Sequence, residues 1–296
     1  MELYAPAYYK NFSCIADKCR HSCCIGWEID VDADTLAHYK ALGGDYADVI
    51  RDSIDRSDTP HFVLAAHDRC PHLDERGLCR IITAYGEQSL CEICREHPRF
   101  YHQTPHGMEA GLGLSCEEAC RIVLSADDFA CMISIGQVEG TPDAKSFDAT
   151  DLRERIYVTL CDSTRPYAER LQSIYKDFDI CPTAQTDRTW HAILDGLEYL
   201  DESHRALFAC YRSDLTTPPQ AEPALYRALA YFIYRHCSDA YDAEDFITRL
   251  GLALFFERLL CSMIANGHDP YEAARILSEE LEYSEDNTEA LAAAFL

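Results

Sequence analysis

Apolar residues recur every three or four positions through most of the second half of the chain, which is the spacing of one helix face. The run Leu252, Phe255, Phe256 and Leu259 is typical of this pattern. Helices are predicted over about 151–177, 187–200, 203–212, 222–237, 242–266, 270–282 and 287–296. A proline within a helix bends or breaks it, so the first of these is expected to kink at Pro166.

The first 120 residues contain only short periodic stretches, which glycine and proline interrupt. Asp32 is placed to cap a helix that runs to about Lys40 and ends before Gly43 and Gly44. Further short helices are predicted at about 45–54, 81–85, 87–97 and 115–124, with extended segments at 27–31, 62–65 and 108–114. This part of the chain is therefore predicted to be irregular and rich in loops.

These patterns predict a mainly α protein in three regions. Residues 1–124 form an irregular, cysteine-rich, metal-binding part, residues 125–150 are linker-like, and residues 151–296 form a helical domain. No alternation of strands with helices is present, which disfavours a doubly wound sheet or a barrel. No G-x-G-x-x-G follows a strand, so a conventional dinucleotide site is not expected.

The distribution of cysteine indicates a function that the helical pattern alone does not. Ten of the 16 cysteines lie before residue 121, in the groups Cys14, Cys19, Cys23 and Cys24; Cys70 and Cys79; Cys91 and Cys94; Cys116 and Cys120. Thiolates bind zinc or the iron of iron–sulfur clusters, and either metal commonly takes four of them. Ten thiols exceed one such site, so two centres, or one centre with several packing thiols, both stay open.

The remaining cysteines and the histidines are interpreted more simply. The six scattered cysteines are expected to be small buried core residues, namely Cys131, Cys161, Cys181, Cys210, Cys237 and Cys261. His21 and His97 lie within the cysteine groups and could also bind metal. No H-E-x-x-H is present, which disfavours a hydrolytic zinc enzyme, and nothing singles out one cysteine as a nucleophile.

The net charge and the expected cellular compartment restrict the classes of binding partner. The net charge of −25 repels nucleic acid phosphates and anionic membrane surfaces, and it attracts lysine-rich partners. No apolar run reaches the roughly 20 residues that a membrane helix needs. The first residues do not follow the pattern of a secretory signal, so a cytoplasmic protein is expected, without nucleic acid or membrane partners. In that compartment clustered cysteines bind metal more often than they form disulfides.

The order of the cysteine blocks resembles the flagellin lysine-N-methylase family. The blocks are Y-Y-K-N-F-S-C at 8–14, S-C-C-I-G-W-E-I-D-V-D at 22–32, C-P-H-L-D at 70–74, G-L-C-R-I at 77–81, Y-G-E-Q-S-L-C-E-I-C-R-E-H-P-R at 85–99 and L-G-L-S-C-E-E-A at 112–119. The first cysteine group, in which Cys19, Cys23 and Cys24 have the spacing C-x-x-x-C-C, also resembles small bacterial zinc- or iron-chelating proteins with that signature. The likeness covers about residues 8–124, and the helical remainder is only loosely similar.

The resemblance implies a lysine N-methyltransferase that uses S-adenosylmethionine and carries a 4Fe–4S cluster, with zinc as the alternative metal. Its substrate would be a protein with exposed lysines, such as flagellin. The positions that match the family's recurrent cysteines, and hence the implied metal ligands, are Cys14, Cys19, Cys23, Cys24, Cys70, Cys79, Cys94 and Cys116. Cys91 and Cys120 stand outside that set.

Two features separate the chain from better-known methyltransferases. The C-x₃-C-x₂-C spacing of radical S-adenosylmethionine enzymes is absent, and no methyltransferase glycine motif is present. The alternative hypothesis is therefore a non-enzymatic helical protein in which a zinc or iron centre is structural.

Overall fold

The computed structural model describes residues 1–181 and 185–295. The strands in these residues are β1 Glu2–Pro6, β2 Ile54–Asp55, β3 His61–Phe62, β4 Arg99–Thr104, β5 Gly107–Leu112 and β6 Met132–Gln137. The α-helices are α1 Ala33–Ala41, α2 Ala47–Asp52, α3 Arg80–Tyr85, α4 Glu92–Glu96, α5 Glu117–Ser125, α6 Thr150–Cys161, α7 Tyr167–Asp177, α8 Asp187–Gly196, α9 Arg205–Phe208, α10 Glu222–Cys237, α11 Ala243–Ala265, α12 Pro270–Leu277 and α13 Glu285–Ala292. The prediction of a mainly α protein is confirmed. Leu296, where the last predicted helix ends, lies outside the described residues.

The chain divides into two compact units. We call residues 13–99 the cysteine-rich unit, and residues 1–12 together with the chain from residue 100 onward the helical unit. Residues 100–124, which were grouped with the cysteine-rich part from sequence, belong to the helical unit. The linker-like stretch 125–150 contains strand β6.

A four-stranded sheet in the order β4-β5-β1-β6 lies in the helical unit. Strand β1 pairs in parallel with β5, where Leu3 lies opposite Met108, and antiparallel with β6, where Ala5 lies opposite Ile133. The sequence pattern predicted β5 as an extended segment, but not β1, β4 or β6. Strands β1 and β6 are short, and they pair with residues that lie more than 100 positions away along the chain.

The core of the helical unit is built on α10 and α11. Helix α11 has buried residues around most of its circumference, because its central stretch Leu250–Phe256 is continuously apolar. The side chain of Asp242 accepts hydrogen bonds from the backbone N–H groups of Glu244 and Asp245 and so caps its start. Phe232 of α10 packs on Phe256 of α11 with 5.3 Å between ring centroids.

Three predicted elements differ from the observed ones. The helix predicted over 151–177 is two helices, α6 and α7, because Pro166 occupies the N-cap of α7 and cannot continue α6. The helix predicted over 87–97 divides into a 3₁₀ turn at Glu87–Ser89 and the short α4. The strand predicted at 27–31 is wrong, since only Asp30 there forms a bridge, to His61.

Two buried pairs of hydrogen-bonded side chains lie in the helical unit. The Arg153 guanidinium donates two hydrogen bonds to the carboxylate of Glu109, at 2.6 and 2.7 Å, and both side chains are more than nine-tenths buried. The second pair joins His236 Nε2 to Glu282 Oε1 at 2.8 Å. Glu282 closes a π-helical turn, Ser278–Glu282, that follows α12.

None of the helices in the described part of the chain is both long enough and apolar enough to cross a membrane.

We predict that Glu109→Gln lowers the free energy of unfolding by roughly 3 kcal/mol, because it leaves the Arg153 charge buried without a counterion. Urea unfolding followed by circular dichroism measures the change. The matched control is Glu202→Gln, which removes the carboxylate from an exposed pair with Arg205. This control should leave the unfolding midpoint nearly unchanged, because exposed ion pairs contribute little. Equal losses of stability in the two variants would contradict a stabilising role for the buried pair of Glu109 with Arg153.

We also predict that the helical unit loses stability as the pH falls from 7.5 to 5.5. Burial lowers the pKa of His236, and the Glu282 carboxylate offsets this only in part. The unfolded chain therefore takes up a proton near pH 6.5 that the folded chain binds only at lower pH. Unfolding curves at the two pH values should show a smaller pH dependence for His236→Gln than for the wild type. An unchanged pH dependence in the variant would assign the effect to other groups.

Candidate metal centre

Asp32 joins two segments of the cysteine-rich unit through hydrogen bonds. Its carboxylate accepts the backbone N–H of Thr35 at 2.9 Å, which caps α1, and the N–H of Glu92 at 2.9 Å, at the start of α4. Burial raises the pKa of Asp32, but these hydrogen bonds together lower it by more. The pKa of Asp32 is therefore below its ordinary value. One ionised carboxylate therefore ties together two segments that are 60 residues apart.

The buried His72 connects the loop after Cys70 to Tyr46 and Ser53. His72 accepts or donates at both ring nitrogens, with Nδ1 2.8 Å from the Tyr46 hydroxyl and Nε2 3.0 Å from the Ser53 hydroxyl. Burial, aided by the positive charge of Arg80, lowers the pKa of His72 to about 4, so the ring is neutral at pH 7. Both nitrogens are engaged, and His72 therefore positions the loop after Cys70 rather than binding metal.

Five cysteines from separate segments of this unit pack into one apolar cluster. We call them the thiol group: Cys24, Cys70, Cys79, Cys91 and Cys94. Cys70 and Cys91 are buried within the cluster, and the other three pack against it beside Tyr39 and Phe62. Cys79 is the N-cap residue of α3, and Cys91 is the N-cap residue of α4. The cluster is therefore partly hydrophobic core and partly sulfur.

Backbone hydrogen bonds set the positions of these cysteines. The N–H of Cys70 donates to the carbonyl of Cys24 at 2.8 Å, which joins the first cysteine segment to the second. The N–H of Arg80 donates to the carbonyl of His72 at 2.8 Å and closes the loop that carries Cys70 and Cys79. The contacts bring together residues that lie far apart in sequence, so the cluster is a product of the fold.

The thiols influence each other's ionisation. Burial raises the pKa of Cys70 to about 12, and the charges of Cys24, Cys79 and Cys91 add to that rise. A hydrogen bond from the Cys94 thiol lowers the pKa of Cys91, and the same contact, with burial, raises the pKa of Cys94. Thiols that oppose each other's ionisation in this way become thiolates together when a cation binds among them.

Cys24 is the most readily ionised of the five thiols. A hydrogen bond from Cys23, followed by one from Ser22 and the charge of Arg69, lowers the pKa of Cys24 to about 7 against the effect of burial. Backbone N–H groups also face the other sulfur atoms. Those of Ile82 and Ile81 oppose the rise that burial causes in the pKa of Cys79.

This donor set fits a thiolate-bound centre. All five donors are sulfur, which suits zinc or iron–sulfur clusters and not magnesium or calcium. Cysteines held on irregular loops, with backbone N–H groups directed at sulfur, are the usual setting of an iron–sulfur cluster. Either centre would take four thiolates. Among the described residues no three of these sulfur atoms lie within 4.8 Å of one another, so a single zinc ion would require the thiols to move closer together.

Another group of metal-type side chains lies in the helical unit. His204, Glu279 and Glu280 are the described residues whose donor atoms all lie within 4.8 Å of one another. Glu280 already accepts the N–H groups of Leu200 and Asp201 and lies 2.6 Å from His204 Nδ1. Glu279 binds Arg275. These contacts account for the group as a structural network of hydrogen bonds and ion pairs.

The structure brings together four of the eight cysteines that the resemblance implied as ligands, namely Cys24, Cys70, Cys79 and Cys94. Three others lie in the irregular first segment of the same unit, where Cys14 and Cys23 are exposed and Cys19 is half-buried. Cys23 contacts the thiol group through its hydrogen bond to Cys24. The last, Cys116, caps α5 and packs against the core of the helical unit.

Cys91 is the member of the thiol group that the implied ligand set lacks. Its signal in the sequence was the C-x₂-C spacing to Cys94, which is typical of metal sites. Cys120, which also stood outside that set, is buried in the core of the helical unit.

The scattered cysteines follow the prediction only in part. Cys237 and Cys261 are buried core residues, as predicted, and Cys210 is half-buried. The prediction is wrong for Cys131, Cys161 and Cys181, which are exposed. Cys131 and Cys161 lie at element ends, after the turn before β6 and at the last position of α6, where a periodic pattern does not determine exposure.

Known proteins similar to the chain come from Salmonella. A lysine-N-methylase of Salmonella choleraesuis is 32% identical over 130 residues, and one of Salmonella typhimurium is 30% identical over the same length. These matches cover 42% of this chain and 32% of each relative, so the chain spans about a third of the length of those enzymes. No family model matches the chain. No solved structure is significantly similar to it.

The flagellar biosynthetic protein FliU of Salmonella muenchen is 30% identical over 130 residues. This match covers 42% of the chain and 77% of FliU. The resemblance that the cysteine blocks carried is therefore confirmed, and the chain belongs to the flagellin lysine-N-methylase family, which includes the lysine-N-methylases and FliU.

Proposed function

We propose that this protein is an S-adenosylmethionine-dependent protein lysine N-methyltransferase that carries an iron–sulfur cluster on the thiol group. The observation that carries the proposal is the convergence of five thiols in the cysteine-rich unit of a chain related to lysine-N-methylases. We place the reaction in the cytoplasm, because clustered cysteines stay reduced there.

The thiol group would hold the cluster, with ligands drawn from Cys24, Cys70, Cys79, Cys91 and Cys94. A bound iron–sulfur cluster would supply a site that binds and polarises S-adenosylmethionine. Thiolate ligands make such a centre negative, and two arginines of the same unit lie near them. Arg69 lowers the pKa of Cys24 through its charge, and Arg80 follows Cys79 directly. Both would favour the thiolate form of the ligands.

The proposed reaction is the transfer of one methyl group to a lysine side chain. The deprotonated lysine nitrogen forms a bond to the methyl carbon, the carbon–sulfur bond breaks, and S-adenosylhomocysteine leaves. The proton released by the amine passes to a carboxylate or tyrosine of the protein.

We propose a protein with exposed lysines as the substrate, and flagellin as the first candidate. The name of FliU supports this choice, because it describes that relative as a flagellar biosynthetic protein. The net charge of −25 also favours encounter with a lysine-bearing surface and disfavours nucleic acids and anionic membranes.

A second candidate function is a structural metal centre in a non-enzymatic protein. The observation that favours it is that Cys70 and Cys91 are part of the hydrophobic core of the cysteine-rich unit. Metal binding at such a position contributes directly to folding. The two candidates differ in the metal expected and in whether S-adenosylmethionine binds.

We predict that the protein, purified and reconstituted without oxygen, is brown and absorbs broadly in the visible range, with about four iron and four sulfide per chain. Iron and sulfide analysis together with electron paramagnetic resonance after reduction will check this. A colourless protein that retains one zinc per chain would support the structural alternative.

We further predict that the reconstituted protein methylates lysines of purified flagellin when S-adenosylmethionine is supplied. Mass spectrometry of flagellin peptides should show the addition of one methyl group per modified lysine. S-adenosylhomocysteine in place of S-adenosylmethionine is the control and should give no product. Calorimetric titration with S-adenosylmethionine separates the alternatives, because metal-loaded protein that does not bind it would be a structural module.

A further inference from the structure

Strand β6 forms one edge of the four-stranded sheet in the helical unit. It pairs with β1 on one side, and no further strand in the described part of the chain lies on its other side. Its exposed residues are Ser134, Gly136 and Gln137. An edge strand presents unpaired backbone N–H and C=O groups, to which an extended segment of another molecule can add through hydrogen bonds.

The register of β6 shows which of its backbone groups face outward. The N–H of Ala7 donates to the carbonyl of Cys131 at 2.8 Å, so the Cys131 carbonyl is directed at the neighbouring strand segment. In an antiparallel pair the backbone groups of successive residues point alternately toward the partner and away from it. The N–H and C=O groups of Met132 and Ser134 therefore point away from β1, toward the open edge.

The pairing of β6 with β1 is irregular near its middle. The register shifts between Leu3, which lies opposite Gly136, and Tyr4, which lies opposite Ser134. Ile135 therefore has no opposite residue on β1. Such a bulge bends an edge strand and hinders long, flat pairing with the sheet of another folded molecule. The edge suits a short, flexible segment better than a long strand.

The sequence around β6 is acidic. Residues 122–144 contain no lysine, arginine or histidine, and their acidic residues are Asp127, Asp128, Glu139 and Asp143. Two positive groups beside this stretch are already engaged. Arg227 pairs with Asp127 at 2.6 Å, and the N-terminal ammonium donates to the carbonyl of Val138 at 2.7 Å. Acidic surroundings attract a lysine-bearing segment and repel a second copy of this chain, whose net charge is −25.

The carboxylate of Glu2 lies against the same strand. The Ser134 hydroxyl donates to Glu2 Oε2 at 2.9 Å, and the side-chain amide of Gln137 donates to Glu2 Oε1. Both donors belong to exposed residues of β6. A strand added to β6 would lie roughly 4.8 Å from it, which is within the length of a lysine side chain. A lysine of the added strand could therefore reach the Glu2 carboxylate across Ser134.

We propose that the outer edge of β6 binds a short, extended, lysine-bearing segment of the substrate protein, which adds to the sheet beside β6. Backbone hydrogen bonds to Met132 and Ser134 hold the segment, and the Glu2 carboxylate receives the ammonium group of one of its lysines. The inference rests on the proposed function for the identity of the partner, a protein with exposed lysines. It does not depend on the metal centre.

The test measures the binding of a short synthetic peptide to the full chain by fluorescence anisotropy. The probe is a fluorescein-labelled peptide in which lysine alternates with threonine. One control peptide has the same side chains on an N-methylated backbone, which cannot donate hydrogen bonds, and another has glutamate in place of lysine. The variant Ser134→Pro removes an outward N–H without removing a hydrogen bond to β1. Its matched control, Ser134→Ala, loses the same hydroxyl but keeps the N–H.

We expect Ser134→Pro to bind the lysine peptide about tenfold more weakly than Ser134→Ala, because it loses a backbone hydrogen bond and obstructs its neighbours. Glu2→Gln should weaken binding about threefold, whereas Glu202→Gln, which changes an exposed carboxylate outside the sheet, should not. Hydrogen exchange should slow in residues 131–138 when the peptide is added. Circular dichroism checks the fold of each variant. If Ser134→Pro does not fold, the N-methylated peptide makes the same comparison on the wild type.

Equal binding by Ser134→Pro and Ser134→Ala, or equal binding of the N-methylated peptide, would overturn the inference. Methylation of flagellin by a protein that binds no lysine peptide at β6 would also overturn it and leave the proposed function standing. Peptide binding at β6 without any methyl transfer would support the docking surface and count against the proposed function. Dimerisation of the wild type that Ser134→Pro abolishes would assign the edge to a second copy of the chain, against the inference.

Discussion

The burial of several thiols in one apolar cluster is the constraint on which the cysteine-rich unit depends. Burial alone raises the pKa of Cys70 and Cys79, and each neighbouring sulfur that ionises raises it further. A cation reverses this, because it stabilises every adjacent thiolate at once. The residues that would form the proposed centre are also core residues, so metal bound there would contribute directly to the folding of this unit.

The size of the unit strengthens this argument. The segment Ser13–Arg99 is long enough to fold alone, but its apolar core is small and a bound metal would add to its stability. Its buried apolar side chains, among them Tyr39, Phe62 and Ile81, surround the sulfur atoms. The helical unit is stabilised differently, by long helices such as α11 and by the buried, doubly hydrogen-bonded ion pair of Arg153 with Glu109.

What could be predicted from sequence was what local chemistry determines. The carboxylate of Asp32 caps α1 as expected, and the continuous period of α11 locates that helix within a few residues. Strands β1 and β6 were missed because each is formed by pairing with distant residues, and a five- or six-residue segment carries little signal of its own. The kink expected at Pro166 became a full break, since the residues before it leave the helix at Asp162.

In the candidate site, too, local sequence features could be predicted and tertiary contacts could not. Clustering and spacing identified the cysteine-rich part, and likeness to a family supplied four members of the thiol group. Neither could show that Cys91 belongs to the thiol group and that Cys116 packs in the helical unit. Those positions depend on which segments the tertiary hydrogen bonds bring together. Asp32 illustrates the point: from sequence it is only a helix cap, whereas in the fold its second hydrogen bond, to Glu92, also sets the position of Cys91. One carboxylate thus caps α1 and fixes the backbone next to Cys91, so a contact that brings two thiol-bearing segments together follows from ordinary helix capping applied across 60 residues of sequence.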